Sequence, residues 1–284
     1  MTVGLRLTLL GKPQVTEYDA PITGFISAKA EALLYYLAVT REAHSRDVLA
    51  SLLWGEMTQT AARKNLTKVL SNLRRLVGGY FVIDHHAAAF KQDSLHWLDV
   101  RVFEEALESG EVEGLQKAVE LYRGDFLESF YVKDAPAFED WLRSEQARLR
   151  ELMLQTLEAL ANQLAASGDY VAAIKFVQQL LDFDAYREAA HRQLMILLAR
   201  IGRHGAALAQ YKICCRILAE ELGLEPATET QALYKRIKTA GVARPHNLPH
   251  LTTTFVGRAV ELSKITVLLN DPACRLLTIA GPGG

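Results

Sequence analysis

Gly168 and Gly202 stand 34 residues apart. The same interval separates Ala172 from Ala206, Ala173 from Ala207, Ile174 from Leu208, and Leu164 from Leu198. Thirty-four residues is the period of tetratricopeptide helix pairs, in which small residues let two helices approach closely. Each glycine then belongs in the turn between the helices of a pair. Only one pair of units matches, and two ordinary helical hairpins of similar length would share the spacing. From Val100 to Gly241 the pattern is almost wholly helical, so most of the chain must be built from packed helices.

The beginning of the chain obeys another period. Val3, Leu5, Leu7 and Leu9 alternate with polar or small residues, the signature of a half-buried strand. Gly11-Lys12-Pro13 is a turn signal, and Val15 opens a second short strand. The period then changes to 3.6. Ser27 is placed to cap a helix running to about Val39, with Ala30, Leu33, Leu34 and Leu37 on one face. Ser45 is placed to cap a second, holding Val48, Leu49, Leu52 and Leu53 and ending near Trp54-Gly55. Thr58 or Thr60 opens a third, which stops at Gly78-Gly79. Tyr80–Ile83 and Ala88–Lys91 read as a hairpin, and Leu95–Leu98 as one more strand. Strands, three helices and a hairpin is the order of a winged helix-turn-helix. The fold class is therefore mainly α: an α+β winged helix followed by an all-α, tetratricopeptide-like domain.

The third helix carries the functional argument. Between Met57 and Ile83 there is no Asp or Glu, and there are five cations: Arg63, Lys64, Lys68, Arg74 and Arg75. At 100° per residue, Leu66, Val69, Leu70, Leu73, Leu76 and Val77 form one apolar sector. Lys64, Lys68, Ser71 and Arg75 line the opposite side, flanked by Thr67, Asn72 and Arg74. Long cations neutralise phosphates or reach guanine edges, and Asn, Ser and Thr hydrogen-bond base edges. Arg63 and Asn65, on the same helix, join the candidate DNA-binding set. A merely solvated basic helix has the same composition; its place as third of three helices before a hairpin favours DNA. Lys29 and Arg46 lie in the first turns of their helices, where the N-terminus favours anions. Lys91, and with less support His85 and His86, sit where a wing would touch DNA. Trp54 reads as core.

Charge divides the chain. Residues 1–98 carry 11 Lys and Arg against 8 Asp and Glu, whereas residues 99–241 carry 17 against 23. A basic front before an acidic middle assigns a polyanion partner to the front alone. No apolar run reaches the ~18 residues of a membrane span, and Met1–Leu10 lacks a signal-peptide layout, so the expected location is the cytoplasm. Cys214, Cys215 and Cys274 have no metal-ligand spacing and read as small buried residues. The eight histidines are scattered. No catalytic constellation is legible, and the expectation is a protein that is not an enzyme.

Several segments together resemble a known family. These are LRLTLLGKPQV at 5–15, AKAEALLYYLA at 28–38, HSRDVLASLLW at 44–54, ARKNLTKVLSNLRRLVG at 62–78 and LHWLDVRVFEEAL at 95–107. They resemble the Streptomyces antibiotic regulatory protein family of activators. LYRGDFLESF at 121–130 and FEDWLRSEQARLRE at 138–151 are similar to the bacterial transcriptional activation domain of that family. The resemblance spans roughly residues 3–240. It implies a response-regulator type of winged helix, promoter direct repeats as the DNA target, often bound by a pair of chains, and recruitment of RNA polymerase. Thr67-Lys68 stands where an arginine or similar residue is expected after Asn65, which implies a different base preference.

The end of the chain resembles something else. Val242–His250 is without periodicity, and Arg244-Pro245 and Leu248-Pro249 disfavour helix. TTFVGRAVELSKITVLL at 253–269 and RLLTIAGPGG at 275–284 resemble the opening of a signal-transduction ATPase module. Gly281, Gly283 and Gly284 would begin a phosphate loop, but the Gly-Lys-Ser/Thr that completes one is not in this sequence. ATP and magnesium are therefore expected only in a longer parent chain, and no cofactor in this fragment. The domains read as 1–98, winged helix; 99–241, helical activation domain; 242–252, linker; and 253–284, the truncated start of a nucleotide-binding domain. The alternative to a DNA-binding activator is a helical-repeat adaptor whose winged helix binds protein, since fold does not dictate function.

Overall fold

The computed structural model describes residues 4–241 and, beyond them, only the helical position Ile265. The expected linker, the rest of the segment expected to open a nucleotide-binding domain, and Gly281, Gly283 and Gly284 lie outside the described residues, as do Val3 and Cys274. The described part is mainly helical, with two small sheets near its N-terminus.

The alternating leucines form β1 (Leu5–Thr8), which pairs antiparallel with β2 (Gln14–Glu17). A two-residue β3 (Ala20–Pro21) extends the sheet on one side. Its other neighbour comes from far along the chain: β7 (His96–Leu98) lies parallel to β1, with Leu7 opposite Leu98. Sequence marks that strand without naming its neighbour, and its inward Leu98 fits the core face of β1.

The helices come next. In α1 (Ala28–Thr40), Ala30, Ala32, Leu33, Leu34, Tyr35, Leu37 and Ala38 are all buried. A helix apolar around most of its circumference belongs in the middle of a fold, and α1 is wrapped on more than the one face that its leucines suggest. A short β4 (His44–Ser45) leads into α2 (Arg46–Trp54), where the Ser45 hydroxyl accepts from Val48 N at 3.3 Å. Ser27 and Thr58 flank their helices without side-chain caps. After α3 (Gln59–Val77), β5 (Phe81–Ile83) and β6 (Ala87–Phe90) make a hairpin, and β4 adds to β6 as a third strand. Two residues are too few to show a period, so β4 left no trace in the sequence pattern.

At Leu98–Asp99 strands give way to helices: α4 (Asp99–Ser109), α5 (Val112–Leu121), α6 (Pro136–Ala166), α7 (Tyr170–Phe183), α8 (Glu188–Arg200), α9 (His204–Ile217) and α10 (Thr228–Gly241). Gly168 separates α6 from α7 and Gly202 separates α8 from α9, with φ of 88° and 77°. Side chains rarely adopt such values, which is why glycine ends the first helix of each hairpin. Ala173 and Ala207, at matched positions, are both fully buried.

The chain up to Gly241 forms one compact unit across this change of architecture. Gly11 N donates to Asp125 O (3.1 Å), Leu127 N to Leu9 O (2.8 Å) and Glu128 N to Gly11 O (3.0 Å). A Cβ on Gly124 would lie 3.2 Å from the Gly11 Cα, so the approach is tight at Gly124, whereas Gly11 is favoured there by its φ of 111°. The fully buried Asp99 carboxylate accepts from Leu9 N (2.7 Å), Leu10 N (2.8 Å) and its own neighbour Val100 N (2.8 Å). Tyr35 packs edge-on to Phe130, and Tyr36 to Trp141, so aromatic rings of α1 meet those of the helical half. Among the described residues no helix is long and apolar enough to cross a membrane, and no cluster of His, Cys, Asp and Glu is arranged to hold a metal.

Candidate nucleic-acid interface

Helix α3 buries Ala62, Leu66, Val69, Leu70, Leu73 and Val77, and half-buries Leu76. This anchors its apolar sector and turns Lys64, Lys68, Ser71 and Arg75 outward, where all four are exposed. At a rise of 1.5 Å per residue the line from 64 to 75 is about 16 Å long. Ion pairs among the described residues include none of Lys64, Lys68 and Arg75. The first turn of α3 carries no acid to oppose an approaching phosphate.

The flanking side chains hold the frame together. Arg63 grips Asp47 of α2 with two hydrogen bonds of 2.6 Å, joining the two helices. The Arg63 hydrogen bond holds the Asp47 carboxyl below the usual carboxylate range. Arg63 is thus a paired cation, unlike Lys64 beside it. Asn65 Nδ2 lies 3.4 Å from Met57 Sδ, and the exposed Thr67 hydroxyl donates to Arg63 O at 2.8 Å. Arg74 remains exposed while its Nη2 donates to Ile83 O at 3.1 Å, tying α3 to β5.

Arg46 joins the hairpin to α2. Its backbone N donates to His86 O at 2.9 Å, and its guanidinium reaches Asp84 O at 3.4 Å. Asp84 shapes the hairpin tip by accepting from Ala87 N (2.7 Å) and His86 N (2.6 Å), which lowers its carboxyl pKa. A cleft of about 360 Å³ opens between Arg46, Thr67, Ser71, Arg74 and His85. Another, of about 410 Å³, involves Arg46, Arg63, Thr67, His85 and His86. The two clefts share Arg46, Thr67 and His85, so α3, the start of α2 and the hairpin tip border one surface, whose lining also includes Leu66, Leu70 and Ile83 and the acids Asp47 and Asp84.

Three expected residues are placed differently. Asn72 is not a groove residue: it is 6% exposed, donating from Nδ2 to Gly24 O (3.1 Å) and accepting at Oδ1 from Ile26 N (3.2 Å). Its amide satisfies the loop before α1, so neither end is left for a base. Lys29 is not offered to phosphate either. Its ammonium donates to Leu53 O (2.5 Å) and Asp134 O (2.8 Å) and sits 5.3 Å from the centre of the Trp54 ring. Burial lowers the Lys29 pKa. It straps α1 to the end of α2, whose carbonyls favour a cation, and to the segment before α6. Lys91 sits at the base of the hairpin, with its N bonded to Tyr80 O at 2.9 Å, whereas the exposed His85 and His86 occupy the tip. Asp47 and Asp84, which orient the cations, were missed because each acts on a partner that no period links to it.

Comparison with known proteins gives this surface its setting. The family described as bacterial transcriptional activator domain matches residues 98–238. Regulatory protein AfsR of Streptomyces coelicolor is 27% identical over 250 residues, 78% of this chain and 24% of its own length. AfsR of Streptomyces griseus is 26% identical over 311 residues, 99% of this chain and 31% of its own. The chain thus spans between a quarter and a third of these relatives. A solved structure of Mycobacterium tuberculosis EmbR, in complex with a low affinity phosphopeptide, superposes with a TM-score of 0.67 at 24% identity. It covers 84% of this chain and 65% of EmbR, a likeness of fold. The helical half matches the activator domain and the AfsR relatives extend the match through the N-terminal half: the chain belongs to the Streptomyces antibiotic regulatory protein family of transcriptional activators.

Proposed function

We propose that this chain is the sequence-specific DNA-binding part of a transcriptional activator, with α3 reading the major groove. The observation that carries the reading is the exposed line of Lys64, Lys68, Ser71 and Arg75, whose cations are in no ion pair among the described residues and whose helix is free of acids. In this reading α2 and α3 are the helix-turn-helix and the β5–β6 hairpin is the wing. Lys64, Lys68 and Arg75 contact phosphates or guanine edges, and Ser71 and Thr67 contact bases. Arg46, Arg74, His85 and His86 meet the backbone beside them. Arg63 and Asn65 support the helix, and Lys91 lies at the edge.

The helical half, read as tetratricopeptide-like hairpins, holds the DNA-binding half rigidly and presents a surface to RNA polymerase. Two chains would bind promoter direct repeats side by side, in the cytoplasm. No catalytic role is assigned to the described residues.

A salt titration of binding to duplex promoter fragments tests the reading, comparing wild type with Lys64→Ala/Lys68→Ala/Arg75→Ala. Phosphate contacts release counterions, so log K falls linearly with log salt, by about 0.9 per contact. Sequence-selective binding with a shallower slope in the variant supports the proposal. Absence of wild-type binding at low salt overturns it and favours a winged helix that binds protein.

A further inference from the structure

A second cationic surface lies far along the chain from α3. The acidity of the helical half is confined to its beginning: residues 99–191 carry 9 Lys and Arg against 19 Asp and Glu, whereas residues 192–241 carry 8 against 4. Within the basic part, α8 and α10 enclose a groove of about 400 Å³, lined by Ile196, Ala199 and Arg200, by His204 at the start of α9, and by Leu233, Arg236, Ile237 and Ala240. No acid is among these residues. The residues come at helical spacings, 196, 199 and 200 on one wall and 233, 236, 237 and 240 on the other. Leu233 and Ile237 make a buried floor, whereas Ile196 is 41% exposed. Arg200 and Arg236 are both exposed, and neither is in an ion pair among the described residues. His204 Nδ1 is shielded from solvent and has no hydrogen-bond partner there.

We propose that this groove docks an acidic amphipathic helix of a partner protein. The chemistry is complementary in each respect. A row of apolar side chains at i, i+3, i+4 and i+7 fits between two helix walls, as in other helix-in-groove complexes. Carboxylates beside that row meet Arg200 and Arg236, whose guanidinium forks suit them. The opposite charge of residues 99–191 directs such a helix to this end of the array and away from the other.

The test uses the whole 284-residue chain and fluorescence anisotropy of a labelled synthetic helix, leucine at i, i+3, i+4 and i+7 with flanking glutamates. Saturable binding is expected. It should weaken at least about tenfold in Arg200→Glu/Arg236→Glu, because rim attraction becomes repulsion. It should vanish when the peptide leucines become serine or its glutamates lysine. Lys64→Ala/Lys68→Ala/Arg75→Ala should bind the peptide as wild type does, separating this groove from the DNA-binding surface. The proposal is overturned by no binding to the whole chain, by equal binding of the lysine peptide, by an unaffected rim variant that keeps its helical circular dichroism, or by loss in the α3 variant.

Discussion

Lys64, Lys68 and Arg75 of α3 and Arg148 and Arg187 of the helical half carry the same charge into opposite surroundings. Lys64, Lys68 and Arg75 project from a helix face without an acid. Arg148 instead lies between Glu104 (2.8 Å) and Glu145 (2.8 Å), and Glu104 also holds Arg41 of the N-terminal half (2.7 Å). Arg187 contacts Asp184, Glu151 and Glu158 at 3.1, 3.1 and 3.7 Å. A cation between carboxylates fixes helices relative to one another and presents little net charge to a ligand. A cation without one leaves the fold nearly unaffected and is available to a polyanion. Pairing, more than the number of positive residues, separates the proposed DNA-binding surface from the scaffold.

The sharpest way to break that contrast is the α3 triple variant. Loss of three phosphate contacts should lower DNA affinity by roughly 100-fold or more near 0.1 M salt, with thermal stability unchanged. A comparable loss of stability would show that these side chains hold the fold. Asn72→Ala should behave in the opposite way. Leaving Gly24 O and Ile26 N without their partner should cost about 2 kcal/mol in denaturant unfolding, while the folded protein keeps its affinity. Arg148→Ala should cost about 1 kcal/mol or less, because its pairs are partly exposed; a null effect on DNA binding is expected at moderate salt.

The smallest effect concerns pH. Burial lowers the pKa of His44, which contacts the Thr40 hydroxyl at 2.9 Å, and that of His96 beside Phe90. Each binds a proton less readily folded than unfolded, so its contribution is complete above about pH 6.5 and declines as pH falls below it. Melting temperature should therefore drop modestly from pH 7.5 to 5.5, and less so in His44→Gln/His96→Gln. An equal slope in the variant would assign the change to other groups.

Much of this architecture was legible because its causes are local. The 3.6 period located α1 to α3 within a residue or two, since the apolar residues repeat along a single element. The acid-free line of α3 is a property of consecutive residues, and burial of the opposite face followed from the same wheel. Gly168 and Gly202 mark their turns because positive φ is a local demand on the residue type.

Tertiary structure decided everything that depends on residues distant in sequence. The helical wheel sets Asn72 beside the exposed line and Ser71 on it, but does not say that Asn72 is buried. One amide is buried and the neighbouring hydroxyl exposed because the loop at Gly24 needs a donor and an acceptor. Lys29 became a strap because Leu53 O and Asp134 O converge on it. The partner of β7, the presence of β4 and the joining of the two halves at Gly11 and Gly124 depend likewise on backbone approach between remote segments. Sequence alone determined the helices and the longer strands, and which of their faces are apolar or basic, because side-chain periodicity is set within each helix or strand. Only the packed chain decided which polar groups remained free to act, because a hydrogen-bond partner is selected by distance in space.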